Sequence, residues 1–263
     1  MSQQIKQLEI ELEVSLFNRL GRQITLTEAG KLFIEFAQQS VRKAEDGKLM
    51  ISDFKKLQLG TITIGVAYGL RDFFLKTLIG FAERFSKIEI KVIYEPSHSL
   101  YEKLYQSKVD FVVAFHETEA SPYFRYKKLF DSPMVLATSK SASIAKKKNI
   151  RLDDICQLPL VIATKGYDKN HIVHKAFAAK GLNLKFAIEV NDIPTAIELV
   201  KSGKWYSILV QTSVFGSNLA SVVIKEDSLI RSAKIISLQD AYETNAVREF
   251  KKQLIESAKS LKH

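Results

Sequence analysis

Residues 2–30 read SQQIKQLEIELEVSLFNRLGRQITLTEAG, and the order of elements in that stretch decides how the rest of the chain is read. Ile5, Leu8 and Leu12 recur at helical spacing with Gln and Lys opposite, which predicts an amphipathic helix over Ser2–Leu12. Val14, Leu16 and Phe17 extend into a short apolar patch. Asn18-Arg19-Leu20-Gly21-Arg22 has the composition of a turn bearing two cations. Gln23-Ile24-Thr25-Leu26 alternates polar and apolar as a short strand does. Thr27 then suits a helix N-cap, and Glu28 falls in the first turn, where the helix dipole favours an anion.

Between Glu28 and Lys56 nothing opposes a helix except Gly47, at a cost of about 1 kcal/mol relative to Ala. Phe33, Ala37, Ser40, Ala44, Gly47, Ile51 and Phe54 follow one another at alternating spacings of four and three. That is a heptad seam with bulky ends and a small-residue middle, which lets a second helix approach closely. Such a helix reaches roughly 42 Å, too long to be buried in one small domain. It either pairs with a second copy or lies along its own chain's core.

From Gly60 onward strands and helices alternate. Strands are expected at Thr61–Ala67, Glu89–Tyr94, Asp110–Phe115, Met134–Thr138, Leu160–Ala163, Lys185–Val190, Tyr206–Val210 and Lys234–Leu238. Helices are expected at Arg71–Phe85, Ser99–Gln106, Asn170–Lys180, Pro194–Ser202 and Asn245–Lys259. Phe74, Leu78, Phe81 and Phe85 share one face of the first of these helices, and the run Phe111–Phe115 has the continuous apolarity of a strand covered on both sides. Two such series, separated by the basic segment Lys140–Arg151, imply an α/β fold of two units with mainly parallel sheets. Ligands in such sheets bind beyond the carboxyl ends of the strands, here in the cleft between the units.

Composition narrows the function classes. The chain has 263 residues, a single Cys, and 46% hydrophobic residues, enough for a sizeable core. One Cys excludes a disulfide framework and any zinc site of the CxxC type. No apolar run reaches the ~20 residues of a membrane span, and the charged start has no signal-peptide pattern, so a cytoplasmic protein is expected. Residues 1–58 carry nine Lys+Arg against eight Asp+Glu, so nearly all of the +10 excess lies in the later part of the chain and marks no binding site by itself. No phosphate-loop or dinucleotide fingerprint occurs, and Gly65-Val-Ala-Tyr-Gly69 has the wrong glycine spacing. His171 and His174 stand three apart, but two ligands make no metal site, and neither metal nor cofactor is implied. Cys156 has no cationic neighbour in sequence and reads as an inert thiol. Nothing resembles a positioned nucleophile–base pair, so an enzyme is not expected.

The opening stretch resembles the second half of a LysR-type winged helix-turn-helix domain. The matched features are Ser-x-x-Ile-x-x-Leu-Glu, Leu-x-x-x-Leu-Phe-x-Arg, Gly-Arg and Leu-Thr-Glu-Ala-Gly, in that order over residues 2–30. Gly60-Thr-Ile-Thr-Ile-Gly65, Val109–Val113, Leu152–Ile155 with Leu158–Val161, and Ile197–Gly203 are similar to later landmarks of the same family. The resemblance implies a partial winged helix-turn-helix domain over 1–30 and a dimerising linker helix over 31–58. It further implies a periplasmic-binding-protein-like effector domain over 59–263, with one subdomain formed by 59–139 and 239–263 and the other by 140–238. Two departures stand out. The family's DNA-binding domain begins two helices earlier, which predicts a ragged DNA-binding element here. The family also has Gly where this chain has Glu13, so the reading helix is expected to end differently.

The resemblance implies a transcription regulator that binds promoter DNA, a small-molecule effector and a second copy of itself. On that reading Ser2, Gln3, Gln4 and Lys6 face base edges and phosphates, while Arg19, Arg22, Gln23 and Thr27 suit the backbone. The effector would meet the strand-end loops Ala67-Tyr68-Gly69, Ser97-His98-Ser99, Phe115-His116, Thr164-Lys165 and Asn191-Asp192, with His116 the foremost single candidate. The competing reading is a cytosolic small-molecule sensor module without competent DNA binding.

Overall fold

The computed structural model describes residues 3–20, 23–55, 60–116, 121–163 and 172–262. The chain divides into two compact units, residues 1–56 and 57–263.

The first unit contains helix α1 (Gln3–Glu11), strands β1 (Phe17–Leu20) and β2 (Gln23–Leu26), and helix α2 (Glu28–Lys55). β1 and β2 form an antiparallel hairpin, Phe17 opposite Leu26 and Leu20 opposite Gln23. The segment from Asn18 to Leu20 is therefore strand rather than turn. Its polar Asn and Arg hid a pairing that only the facing strand reveals. α1 ends where expected but not how expected. The Val14 N–H reaches the Glu9 carbonyl and the Glu13 N–H that of Ile10, each at 3.2 Å. Glu13 sits at φ 53°, so it takes the left-handed cap that Gly normally fills. α2 runs unbroken over 28 residues. Thr27 caps it, accepting the Gly30 N–H at 2.9 Å.

The second unit opens with β3 (Gly60–Ala67), α3 (Arg71–Arg84), β4 (Ile88–Glu95), α4 (Ser97–Tyr105) and β5 (Phe111–Phe115). These build a parallel core, β4-β3-β5. β6 (Phe124–Thr138) follows, then β7 (Asn149–Ile150), α5 (Leu152–Ile155), β8 (Leu160–Ala163), α6 (Ile172–Ala179), β9 (Ile188–Val190), α7 (Ile193–Lys201), β10 (Tyr206–Val210) and β11 (Ala220–Ile224). β12 (Ile230–Leu238) and α8 (Asn245–Lys259) close the chain. The strand order is β4-β3-β5-β12-β6-β10-β8-β9, with β11 beside β6 and β7.

β6 joins the two lobes. Its residues 124–133 pair antiparallel with β12, and its residues 134–138 pair antiparallel with β10 and β11. The sheets are thus mixed rather than mainly parallel, because the strands that return between lobes run against their neighbours. β12 lies wholly beside β5 and the first half of β6, so the chain has re-entered the first lobe by Ile230, not at 239. The core of that lobe is aromatic. The Phe250 ring of α8 lies 4.7 Å from Phe81, 5.5 Å from Phe74 and 6.0 Å from Phe111. Against it Lys251, buried, reaches Ser237 and holds Glu243 at 2.7 Å. Burial drives its ammonium below the ordinary lysine value while Glu243 pulls it back.

Candidate functional site

In the first unit Gln3, Gln4 and Lys6 are exposed on the opening turns of α1, and Ser2 lies outside the described residues. No described residue of α1 is buried, and Ile10, Leu12 and Val14 stand exposed. Arg19 is not a free surface cation: it forms an ion pair with Glu9, whose other oxygen accepts the N–H groups of Leu16 (2.8 Å) and Phe17 (3.2 Å). Those contacts, the Leu16 N–H foremost, hold the Glu9 carboxyl below the usual range. Glu9 was missed in sequence because its partners sit seven to ten residues on, across a turn. The Thr27 hydroxyl donates to the Ser15 carbonyl at 2.7 Å, so its proton is already spent. Arg22 and the Gln23 side chain lie outside the described residues.

On α2 the proposed seam stays open. Ser40, Ala44, Gly47 and Ile51 are exposed, Phe33 and Ala37 are half-buried, and the Phe54 side chain lies outside the described residues. Leu32, Phe36 and Val41 are also exposed, so the apolar surface of α2 is broader than the heptad count implied.

In the second unit a cavity of about 280 Å3 opens between the two lobes. One wall carries Tyr68, Arg71, Asp72 and Tyr94, from the carboxyl ends of β3 and β4. The other carries Asp192, Ile193, Pro194, Ile197 and Ser213, from the ends of β9 and β10. The cavity thus lies at strand ends, where such a fold is expected to open one. Beside the cavity Gly69 is buried, and its carbonyl accepts the Thr212 hydroxyl at 2.7 Å, with the Ser213 hydroxyl at 3.5 Å. A Cβ at Gly69 would stand 2.7 Å from Val210 Cγ1 of the opposite lobe, so the lobes meet there without room for a side chain.

Of the residues put forward for ligand binding, the cleft gathers Tyr68 and Asp192. Asp192 also caps α7, accepting the Thr195 N–H at 2.8 Å. Ala67 and Phe115 are buried in the core, the latter under the Arg231 guanidinium at 4.7 Å. His98 and Ser99 line a separate polar groove along α4, into which Tyr68 also reaches, and Ser97 begins that helix. His116 does not line the cleft. Its ring lies 4.3 Å from that of Tyr126, and Nδ1 is 3.2 Å from the Tyr101 hydroxyl, which makes it part of an aromatic cluster. Asn191 is exposed, and Thr164, Lys165 and His171 lie outside the described residues. His174 packs edge-on against Phe186. Burial raises the Cys156 thiol above its ordinary value, which suits an inert group. Arg71, Asp72 and Tyr94 were missed by a narrow margin. They follow or end the same strands, but polar residues at a helix start and an aromatic at a strand end carry no signal of their own.

The chain matches the family model of the LysR substrate binding domain over residues 55–259. It matches that of the bacterial regulatory helix-turn-helix protein, lysR family, over residues 1–31. It is 27% identical over 256 residues to the HTH-type transcriptional regulator BsdA of Bacillus subtilis, covering 95% of this chain and 88% of that protein. The regulatory domain of Synechocystis PCC6803 CcmR, solved in complex with 2-PG, superimposes with TM-score 0.67 at 17% identity over 77% of this chain and 99% of that one. Full-length CbnR, solved with its target DNA, gives TM-score 0.59 at 18% identity over 97% and 88%. The two structural likenesses establish the fold. Among the described residues no helix is long and apolar enough to cross a membrane.

Proposed function

This chain belongs to the LysR family, as a transcriptional regulator with an effector-binding domain, and from that premise we propose that a small molecule seated in its cleft shifts an oligomer of the chain on promoter DNA in the cytoplasm. The observation that carries this reading is the cavity walled by Tyr68, Arg71, Asp72 and Tyr94 from one lobe and by Asp192, Ile193 and Ser213 from the other. A ligand touching both walls has a different affinity for each arrangement of the lobes, which is the requirement for moving an equilibrium between assemblies. The exposed Gln3, Gln4 and Lys6 supply groups able to read base edges and phosphates. The exposed Phe36, Ser40, Ala44, Gly47 and Ile51 share one face of α2 and supply a surface for a second copy. That CcmR was solved with 2-PG and CbnR with its target DNA supports both halves of the reading.

The test is a mobility-shift and footprinting assay of the full chain on the DNA upstream of its own gene. It is run with and without metabolites found by thermal-stability screening, where a ligand at 100 times its Kd adds about 2.7 kcal/mol. A sequence-specific complex that weakens steeply with salt and changes its footprint with ligand is expected. A stable dimer that binds ligand but gives no specific complex would leave a cytosolic small-molecule-binding module instead.

A further inference from the structure

We propose that the cleft takes a small molecule bearing a protonated amine on an apolar body, with the amine seated at Asp72. The inference rests on the cleft being the effector site. Three charged side chains face the cavity, and they are not equivalent. Asp192 commits one carboxylate oxygen to capping α7. Arg71 is exposed, so water already solvates its charge at the rim. Asp72 is half-buried and, among the described residues, has neither an ion pair nor a hydrogen bond.

Withdrawal from water pushes the Asp72 carboxyl above its ordinary value, against the pull of Arg71 and Lys76. A carboxylate held in that way is costly until a cation reaches it. Its place in the first turn of α3 offsets part of the cost through the helix dipole, yet an exposed acid would serve the dipole equally well. The neighbouring groups favour a cation too. Tyr68 and Tyr94 offer hydroxyls and ring faces, and burial raises the Tyr94 phenol above its ordinary value. An anionic ligand seated at Asp72 would face that carboxylate and Asp192, with Arg71 as the one cation among the described residues of the lining. Across the cavity Ile193, Pro194 and Ile197 form an apolar wall suited to a hydrocarbon body.

The test is calorimetric titration of the full chain with three probes of one skeleton: phenethylamine, phenylalanine and 3-phenylpropionate. Saturable binding of phenethylamine and phenylalanine is expected, with 3-phenylpropionate at least tenfold weaker. Asp72→Asn should weaken phenethylamine at least tenfold, whereas Asp72→Glu, which keeps the charge, should retain saturable binding. The proposal is overturned if the acid probe binds as well as the amines, if neither amine saturates, or if Asp72→Asn leaves phenethylamine affinity unchanged. The regulatory reading fails separately. Amine binding that moves no DNA footprint would uphold the ligand class and sink the regulation, and a footprint moved by the acid probe alone would do the reverse.

Discussion

The Glu9 carboxylate of α1 and the Arg19 guanidinium of β1 form an ion pair, and through it the helix proposed to read DNA is tied to the hairpin beside it. The second oxygen of Glu9 takes the N–H groups of Leu16 and Phe17, so one side chain fixes the connection from both ends. Arg19, put forward as a contact to the DNA backbone, thus also helps to hold α1 against the hairpin.

Because the folded state holds the Glu9 carboxyl below its ordinary value, chiefly through the Leu16 N–H, its contribution is present above the ordinary carboxylate range. It is lost as pH falls through the lowered value. Hydrogen-exchange protection of the Leu16 and Phe17 amides should therefore decline on acidification. Glu9→Gln should flatten that dependence and weaken specific DNA binding at neutral pH. An unchanged acid transition in the variant would refute the assignment.

Two glycines of α2 should respond to alanine with opposite signs. A Cβ on Gly30 would lie 2.0 Å from the Leu16 carbonyl oxygen, a backbone atom that cannot step aside. Gly30→Ala should destabilise the first unit by about 1–3 kcal/mol, the usual penalty of forced overpacking. Gly47 has nothing within 4 Å of the same added atom. Gly47→Ala should raise helix stability by about 1 kcal/mol. Thermal melts of the two variants decide the comparison.

Glu13 carries a left-handed φ of 53° in a cap whose hydrogen bonds are those of a glycine C-cap. Glu13→Gly should relieve that strain and stabilise the end of α1 by about 1 kcal/mol, read by urea unfolding of the helical signal. A destabilised variant would mean that the Glu side chain has a compensating role.

Thr212 donates to the buried Gly69 carbonyl across the lobes. Thr212→Val should leave that acceptor short of a partner and cost about 1–3 kcal/mol. The Ser213 hydroxyl at 3.5 Å limits the loss, so the double variant with Ser213→Ala should fall further than Thr212→Val alone. Denaturant midpoints at constant slope provide the measurement.

Glu243 bridges Lys251 at 2.7 Å and Arg125 at 3.1 Å. Glu243→Gln should strand the buried ammonium of Lys251 and destabilise the second unit by about 3 kcal/mol, the lower end of the cost of breaking a buried pair. A loss well under 1 kcal/mol would show that the network is solvated.

Local periodicity was enough for much of the fold. The α2 helix, the Thr27 cap, the aromatic face of α3 and the buried run of β5 were all legible, because each depends on neighbours within a few residues. Where pairing partners lie far apart the reading shortened or failed. Only Met134–Thr138 of β6 was legible as strand, since Arg125, Lys127 and Lys128 break the apolar pattern of its first half, which exists by pairing with β12. β11 was also missed, although no charged residue interrupts Ala220–Ile224.

The sequence by itself therefore determined most of the order of helices and strands and the likeness to LysR regulators, and it marked strand ends as the place to look for a cleft. Only the tertiary structure decided which strand ends face one another. His116 follows a buried strand yet turns into an aromatic cluster, while Arg71, Asp72 and Tyr94 reach the cavity. The physical reason is that the cleft is made by two lobes joined through β6, and walls built from residues far apart in the chain leave no periodic trace in either stretch.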